Sequence, residues 1–127
     1  MKEWGWHYSV DGVGDDRVKD GETIKAFGFD LIKSVNMEAH GECQLEHFGK
    51  DNKKGWTFSQ LITTSNMCMH CVDSTNEVYM DLFSCKPIEV NVVKNKLKEY
   101  FNLEVHNDRF FVRGVFETAP DDGTESD

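Results

Sequence analysis

Three side chains near the middle of this sequence could do chemistry together. Ser65 sits in the run Thr63-Thr64-Ser65-Asn66-Met67-Cys68-Met69-His70. Its hydroxyl is a nucleophile once its proton is taken. His70 follows five residues later, and imidazole is the side chain best suited to moving a proton near neutral pH. Cys85 follows Ser65 by twenty residues and brings a thiol that can attack or donate a proton. Each has a commoner structural use. Serine and asparagine serve turns, a strand histidine is most often hydrogen-bonded scaffold, and the free thiols Cys43, Cys68 and Cys71 pack as small buried hydrophobes. No Gly-x-Ser-x-Gly elbow surrounds Ser65, so a hydrolase serine is unsupported.

Cys68-Met69-His70-Cys71 invites a zinc reading, but neighbouring strand residues point to opposite faces. Cys68 and His70 share one face, Cys71 takes the other, and Cys43 and Cys85 stand isolated. A structural zinc needs four ligands, so no metal site is expected.

The elements that must position these groups read as follows. Trp4–Val10 alternates as a strand, and Asp11–Gly21 is a Gly- and Asp-rich loop. Glu22–Met37 places Ile24, Phe27, Leu31 and Val35 on one helical face, with Asp20 as N-cap. Gly28 weakens that helix. Gly41–Phe48 is a strand, and Gly49–Gly55 an exposed polar loop. Trp56–Thr63, Asn66–Val72 and Glu77–Cys85 are three further strands, with a turn at Asp73–Asn76. After Pro87, Ile88–Phe101 reads as a second helix and Leu103–Arg113 as a last strand. Short links between the middle strands imply antiparallel pairing. Two helices cover only one face of such a sheet. The expected fold is therefore α+β, a two-layer sandwich with a largely antiparallel sheet. The uncovered face needs a partner, and a second copy of the chain is the simple candidate.

At 127 residues the chain is expected to form one domain over 1–118, followed by an acidic, disordered tail at 119–127 without large apolar side chains. The net charge of −9 repels phosphate backbones and anionic membranes. No apolar run is long enough to span a bilayer. The first residues lack a signal-peptide core, so the cytoplasm is the expected location, with the four cysteines as thiols.

The spacing of Ser65, His70 and Cys85 resembles that of the small prokaryotic-type S-adenosylmethionine decarboxylase proenzymes, which depend on a self-made pyruvoyl group. The similarity runs without gaps from Gly55 to Cys85. It takes in Gly55-Trp56-Thr57, Ser65-x4-His70 and Tyr79-Met80-Asp81-Leu82-Phe83-Ser84-Cys85, and the N-terminal Gly5-Trp6-His7 is similar to the family's opening strand.

The resemblance implies a specific set of roles. The chain would cut itself between Thr64 and Ser65, and Ser65 would become the pyruvoyl cofactor that forms a Schiff base with the substrate amine. His70 would assist processing, with Thr57 as the helping hydroxyl eight positions before the serine. Cys85 would return a proton to the α-carbon, and Phe48 would stack on the adenine. The implied reaction is decarboxylation of S-adenosylmethionine to the aminopropyl donor for spermidine, by a homodimer of processed protomers.

The chain also departs from the family. Thr64-Ser65-Asn66 stands where Glu-Ser-His is usual, Thr57 replaces a serine, and Lys86 follows the cysteine in place of glycine. Those changes motivate two alternatives: a pyruvoyl decarboxylase of ornithine or arginine, or an inactive homologue that binds a ligand or an active partner.

Overall fold

A computed structural model describes residues 2–115. The chain runs β1 (Gly5–Val13), α1 (Gly21–Ser34), β2 (Gln44–Phe48), β3 (Gly55–Ile62), β4 (Ser65–Cys71), β5 (Glu77–Ser84), α2 (Val90–Phe101) and β6 (Glu104–Arg113), with short 3-10 turns at Asp16–Lys19 and Asp51–Lys53. The strands form one antiparallel sheet in the order β2-β3-β4-β5-β1-β6. This is the expected α+β architecture, with both helices on one face. The tail expected at 119–127 lies outside the described residues.

Alternation along the strands sorts the side chains. Tyr8 and Val10 of β1, Phe58 of β3, Met67 and Met69 of β4, and Met80 and Leu82 of β5 are buried under the helices. They meet Ile24, Phe27 and Leu31 of α1 and Val93, Leu97 and Phe101 of α2. Each such side chain is worth roughly 1.5–3 kcal/mol when taken out of water. Across the top of the core, Asp30 of α1 accepts from Lys96 Nζ at 3.0 Å and from the Tyr100 hydroxyl at 2.7 Å, clasping α1 to α2.

Gly28 owes its place to this packing. A Cβ there would lie 2.4 Å from the Phe58 ring, so only glycine lets α1 sit this close to β3.

Several boundaries differ from the sequence reading. The helix expected to reach Met37 stops at Ser34, because Asn36 turns left-handed (φ 61°). The Asn36 and Met37 amides then return to the Lys33 and Ile32 carbonyls, closing the helix end while Met37 packs near Ile32 in the core. Asp20 does cap α1, but its carboxylate takes the Thr23 hydroxyl and not a backbone amide. β1 runs on to Val13, into the expected loop, because β5 and β6 pair with it on both sides. β2 starts only at Gln44, where pairing with Ser59 begins. Cys71 is buried as expected, and burial pushes its thiol up to about 12. Cys68, expected to be buried, is exposed, because its register on β4 turns it to the open face.

That open face carries Thr57 and Ser59, Asn66, Cys68 and His70, Tyr79, Asp81 and Phe83, and His7 and Ser9 in neighbouring rows. It mixes polar and aromatic groups. His7 Nε2 and the Ser9 hydroxyl meet Asp81 Oδ1 at 3.0 and 2.6 Å. Trp4 stacks on Phe83 with centroids 5.7 Å apart, and the Arg113 guanidinium lies 5.3 Å from the same ring. No helix is long and apolar enough to cross a membrane among the described residues.

Candidate active site

Ser65 is the first residue of β4 and pairs with Ile62 across a two-residue connection, Thr63-Thr64. So short a link forces a special backbone conformation. Thr64 supplies it with φ at +59°. A β-branched residue is a genuine outlier in this left-handed region, and the conformation costs on the order of 1–3 kcal/mol. The strained residue is the one immediately before the serine. Its hydroxyl donates to the Thr63 carbonyl at 2.8 Å.

Ser65 points to the helix side of the sheet and is 8% exposed. Its Oγ accepts the Cys85 backbone N–H at 2.8 Å. The Cys85 thiol faces the Thr63 carbonyl oxygen at 3.8 Å. The Thr64 hydroxyl is the main group holding that thiol below its ordinary pKa, with help from Ser65 and the Lys86 charge. Ser65, Thr64 and Cys85 therefore converge at one end of the sheet, as the sequence leads one to expect. A cavity of about 260 Å³ opens there, bounded by Thr63, Thr64 and Cys85 on one side and Met37, Glu38 and Lys86 on the other. Lys86 reaches away from the thiol to the Asn36 carbonyl, 3.0 Å off.

His70 is elsewhere. Its even position on β4 turns it to the open face, with Thr57 directly across on β3. Thr57 Oγ1 and His70 Nδ1 are 2.6 Å apart, and His70 Nε2 lies 3.0 Å from the Lys53 carbonyl oxygen. A carbonyl only accepts, so Nε2 carries a hydrogen. In the neutral ring Nδ1 is then the acceptor and the Thr57 hydroxyl the donor. Thr57 and His70 are thus hydrogen-bonded partners on the open face. Phe48 shares this face, 56% exposed, with its ring centroid 6.5 Å from that of His70. The sequence-derived residues thus form two groups, Ser65 with Cys85 and Thr57 with His70 and Phe48.

One further hydroxyl at this end was given no role in the sequence reading. Ser84 is buried beneath the Cys85 turn, where its hydroxyl donates to the Lys86 carbonyl at 2.6 Å and accepts the Lys86 amide at 2.9 Å. Its only sequence signal was its place before the cysteine.

Comparison with known proteins decides the family. The sequence profile described as S-adenosylmethionine decarboxylase matches residues 6–114. The chain belongs to the S-adenosylmethionine decarboxylase family. The fold of an adenosylmethionine decarboxylase from Aquifex aeolicus VF5 is similar, with a TM-score of 0.76 at 16% identity, covering 98% of this chain and 100% of that one. No curated protein is matched by the sequence. The residues at the Ser65 end suit the pyruvoyl group on which the family depends. A hydroxyl follows a strained peptide, a backbone amide holds the hydroxyl, and a thiol borders the cavity beside it.

Proposed function

We propose that this chain is a proenzyme that cuts itself between Thr64 and Ser65 and then decarboxylates S-adenosylmethionine in the cytoplasm, on the route to spermidine. The observation that carries the reading is the left-handed Thr64 immediately before a serine whose Oγ is held by the Cys85 amide. In the processing step Ser65 Oγ attacks the Thr64 carbonyl carbon, and the peptide C–N bond gives way to an ester. The Ser65 Cα then loses its proton and the Cβ–Oγ bond breaks. Oγ departs within the new Thr64 carboxylate, and a dehydroalanine is left. Water adds at Cα, ammonia leaves, and the residue ends as a ketone.

The pyruvoyl group so formed supplies an electron sink for loss of carbon dioxide. Cys85 lines the same cavity and is the residue we assign to return a proton to the substrate α-carbon. Thr57 and His70 move protons during processing, and Phe48 is the candidate platform for the adenine.

The two groups of residues call for a dimer. Ser65 and His70 lie on opposite faces, and five strand residues separate them by about 17 Å. In a homodimer the Thr57 and His70 of one copy would serve the Ser65 of the other.

Denaturing intact-mass measurement of fresh protein tests the class of reaction. Two chains split between Thr64 and Ser65, the second blocked by pyruvoyl, support it. A single species of 14.6 kDa that persists on incubation overturns it and favours the inactive homologue. A substrate panel with detection of carbon dioxide then separates S-adenosylmethionine from ornithine and arginine. That second reading is kept because Thr64 and Asn66 replace the charged neighbours usual in the family.

A further inference from the structure

We propose that the Ser84 hydroxyl is a positioning group that holds the Cys85 amide on Ser65 and thereby sets the rate of self-cleavage. The proposal rests on the role of Ser65 as the processing nucleophile.

Ser84 is 1% exposed and sits in an apolar part of the core, with its Oγ 3.3 Å from Met37 Sδ. A hydroxyl buried so fully needs strong partners. It finds both on one residue, donating to the Lys86 carbonyl and accepting the Lys86 amide. These two bonds close a tight turn over residues 84–86, with Cys85 at its apex. Ser84 also lies beside Ser65, because β4 and β5 are in register from Asn66↔Phe83 onward. The turn therefore aims the Cys85 N–H at Ser65 Oγ, 2.8 Å away.

That N–H has two uses. It fixes the rotamer of a hydroxyl that must attack the adjacent carbonyl. It also favours loss of the Ser65 proton, because an N–H bonded to an oxygen stabilises its anionic form. Once the Cβ–Oγ bond breaks, the same oxygen belongs to the Thr64 carboxylate and the amide is released from Ser65. Without the Ser84 hydroxyl the turn keeps its apolar packing and loses both clamping bonds. The amide would then spend less of its time on Ser65.

The test compares full-length parent, Ser84→Ala and Ser84→Thr, following self-cleavage by intact mass from the moment of synthesis. The expected result is a half-life about tenfold longer in Ser84→Ala, the size of effect carried by a lost hydrogen bond, and a parent-like rate in Ser84→Thr. Equal rates in parent and Ser84→Ala overturn the proposal. So do equally slow rates in both variants, which would show that shape and not the hydroxyl matters. If Ser84→Ala does not fold, Ser84→Cys replaces it: slow cleavage supports the clamp, and a parent-like rate overturns it.

If the parent itself never cleaves, the role of Ser65 fails on its own account. Amide exchange at Cys85 then decides the clamp. About tenfold faster exchange in Ser84→Ala with parent-like exchange in Ser84→Thr supports it, and equal exchange in all three overturns it.

Discussion

Ser65 and His70 stand five residues apart on one strand and face opposite sides of the sheet: Ser65 bonds to the Cys85 amide on the helix side and His70 to Thr57 on the open side. A single chain cannot bring the two together. If His70 assists cleavage, it does so from a second copy. Ser65→Ala and His70→Ala should each be whole when made alone. When the two are made together, the His70→Ala chain should be cleaved, since it retains its serine and receives an imidazole from its partner. Intact mass distinguishes the chains, and an uncut mixture would rule out exchange of this kind.

Cys85 should carry a thiol more acidic than an ordinary cysteine, with the Thr64 hydroxyl as the main cause. In the uncleaved His70→Ala chain, whose substitution lies on the far face, the alkylation rate of Cys85 should rise with pH at a midpoint below that of an ordinary cysteine. Thr64→Val should move that midpoint up. Cys85→Ala should still cleave but lose turnover by roughly a hundredfold or more.

Gly28 should reverse the usual helix rule. Alanine normally stabilises an exposed helical position by about 1 kcal/mol over glycine. Here the added Cβ would strike the Phe58 ring, so Gly28→Ala should destabilise the fold by about 1–3 kcal/mol. Urea unfolding in a Ser65→Ala background, where no cleavage intervenes, reads this directly. A rise in stability would show that the helix can move off the sheet at little cost.

The Asp30 clasp gives a pH dependence. The Tyr100 hydroxyl first, and the Lys96 ammonium with it, hold the Asp30 carboxyl below its usual range. A group whose pKa is lower folded than unfolded adds stability that is present above the unfolded value and lost as pH falls through the folded one. Thermal stability should therefore decline below about pH 4, and Asp30→Asn should shrink that decline while lowering stability at neutral pH. An unchanged acid limb would remove Asp30 from the account.

Much of the architecture was legible because it rests on local pattern. The alternation Val78, Met80, Leu82 against Tyr79, Asp81, Phe83 is what a half-buried strand requires, and the helix spacings Ile24-Phe27-Leu31 met a real core. Where the reading slipped, long-range or single-residue effects prevailed. The extension of β1 depends on partner strands that arrive far later in the chain, and the end of α1 on one left-handed asparagine. Cys68 looked like core by residue type but follows the parity of its strand. The closeness of Ser65 to Cys85 and of Thr57 to His70 agrees with the residues picked out in the sequence, whereas their division between two faces needed the strand register. Ser84 stood in the run that carries the resemblance, but its two bonds to Lys86 come from a turn geometry that no residue type announces.

The two-residue link between β3 and β4 has one more consequence. It is the shortest loop in the sheet, and the bond proposed for cleavage lies at its end. While the link is whole, Ile62 and Ser65 meet at almost no entropic cost. Once it is cut, β3 and β4 belong to different molecules, joined only by their pairing and the shared core. A chain that unfolded after cutting would have to find its other half in dilute solution before it could pair again. Folding would thus be available once, to the newborn chain, and the mature protein would live on its resistance to opening rather than on any ability to start over.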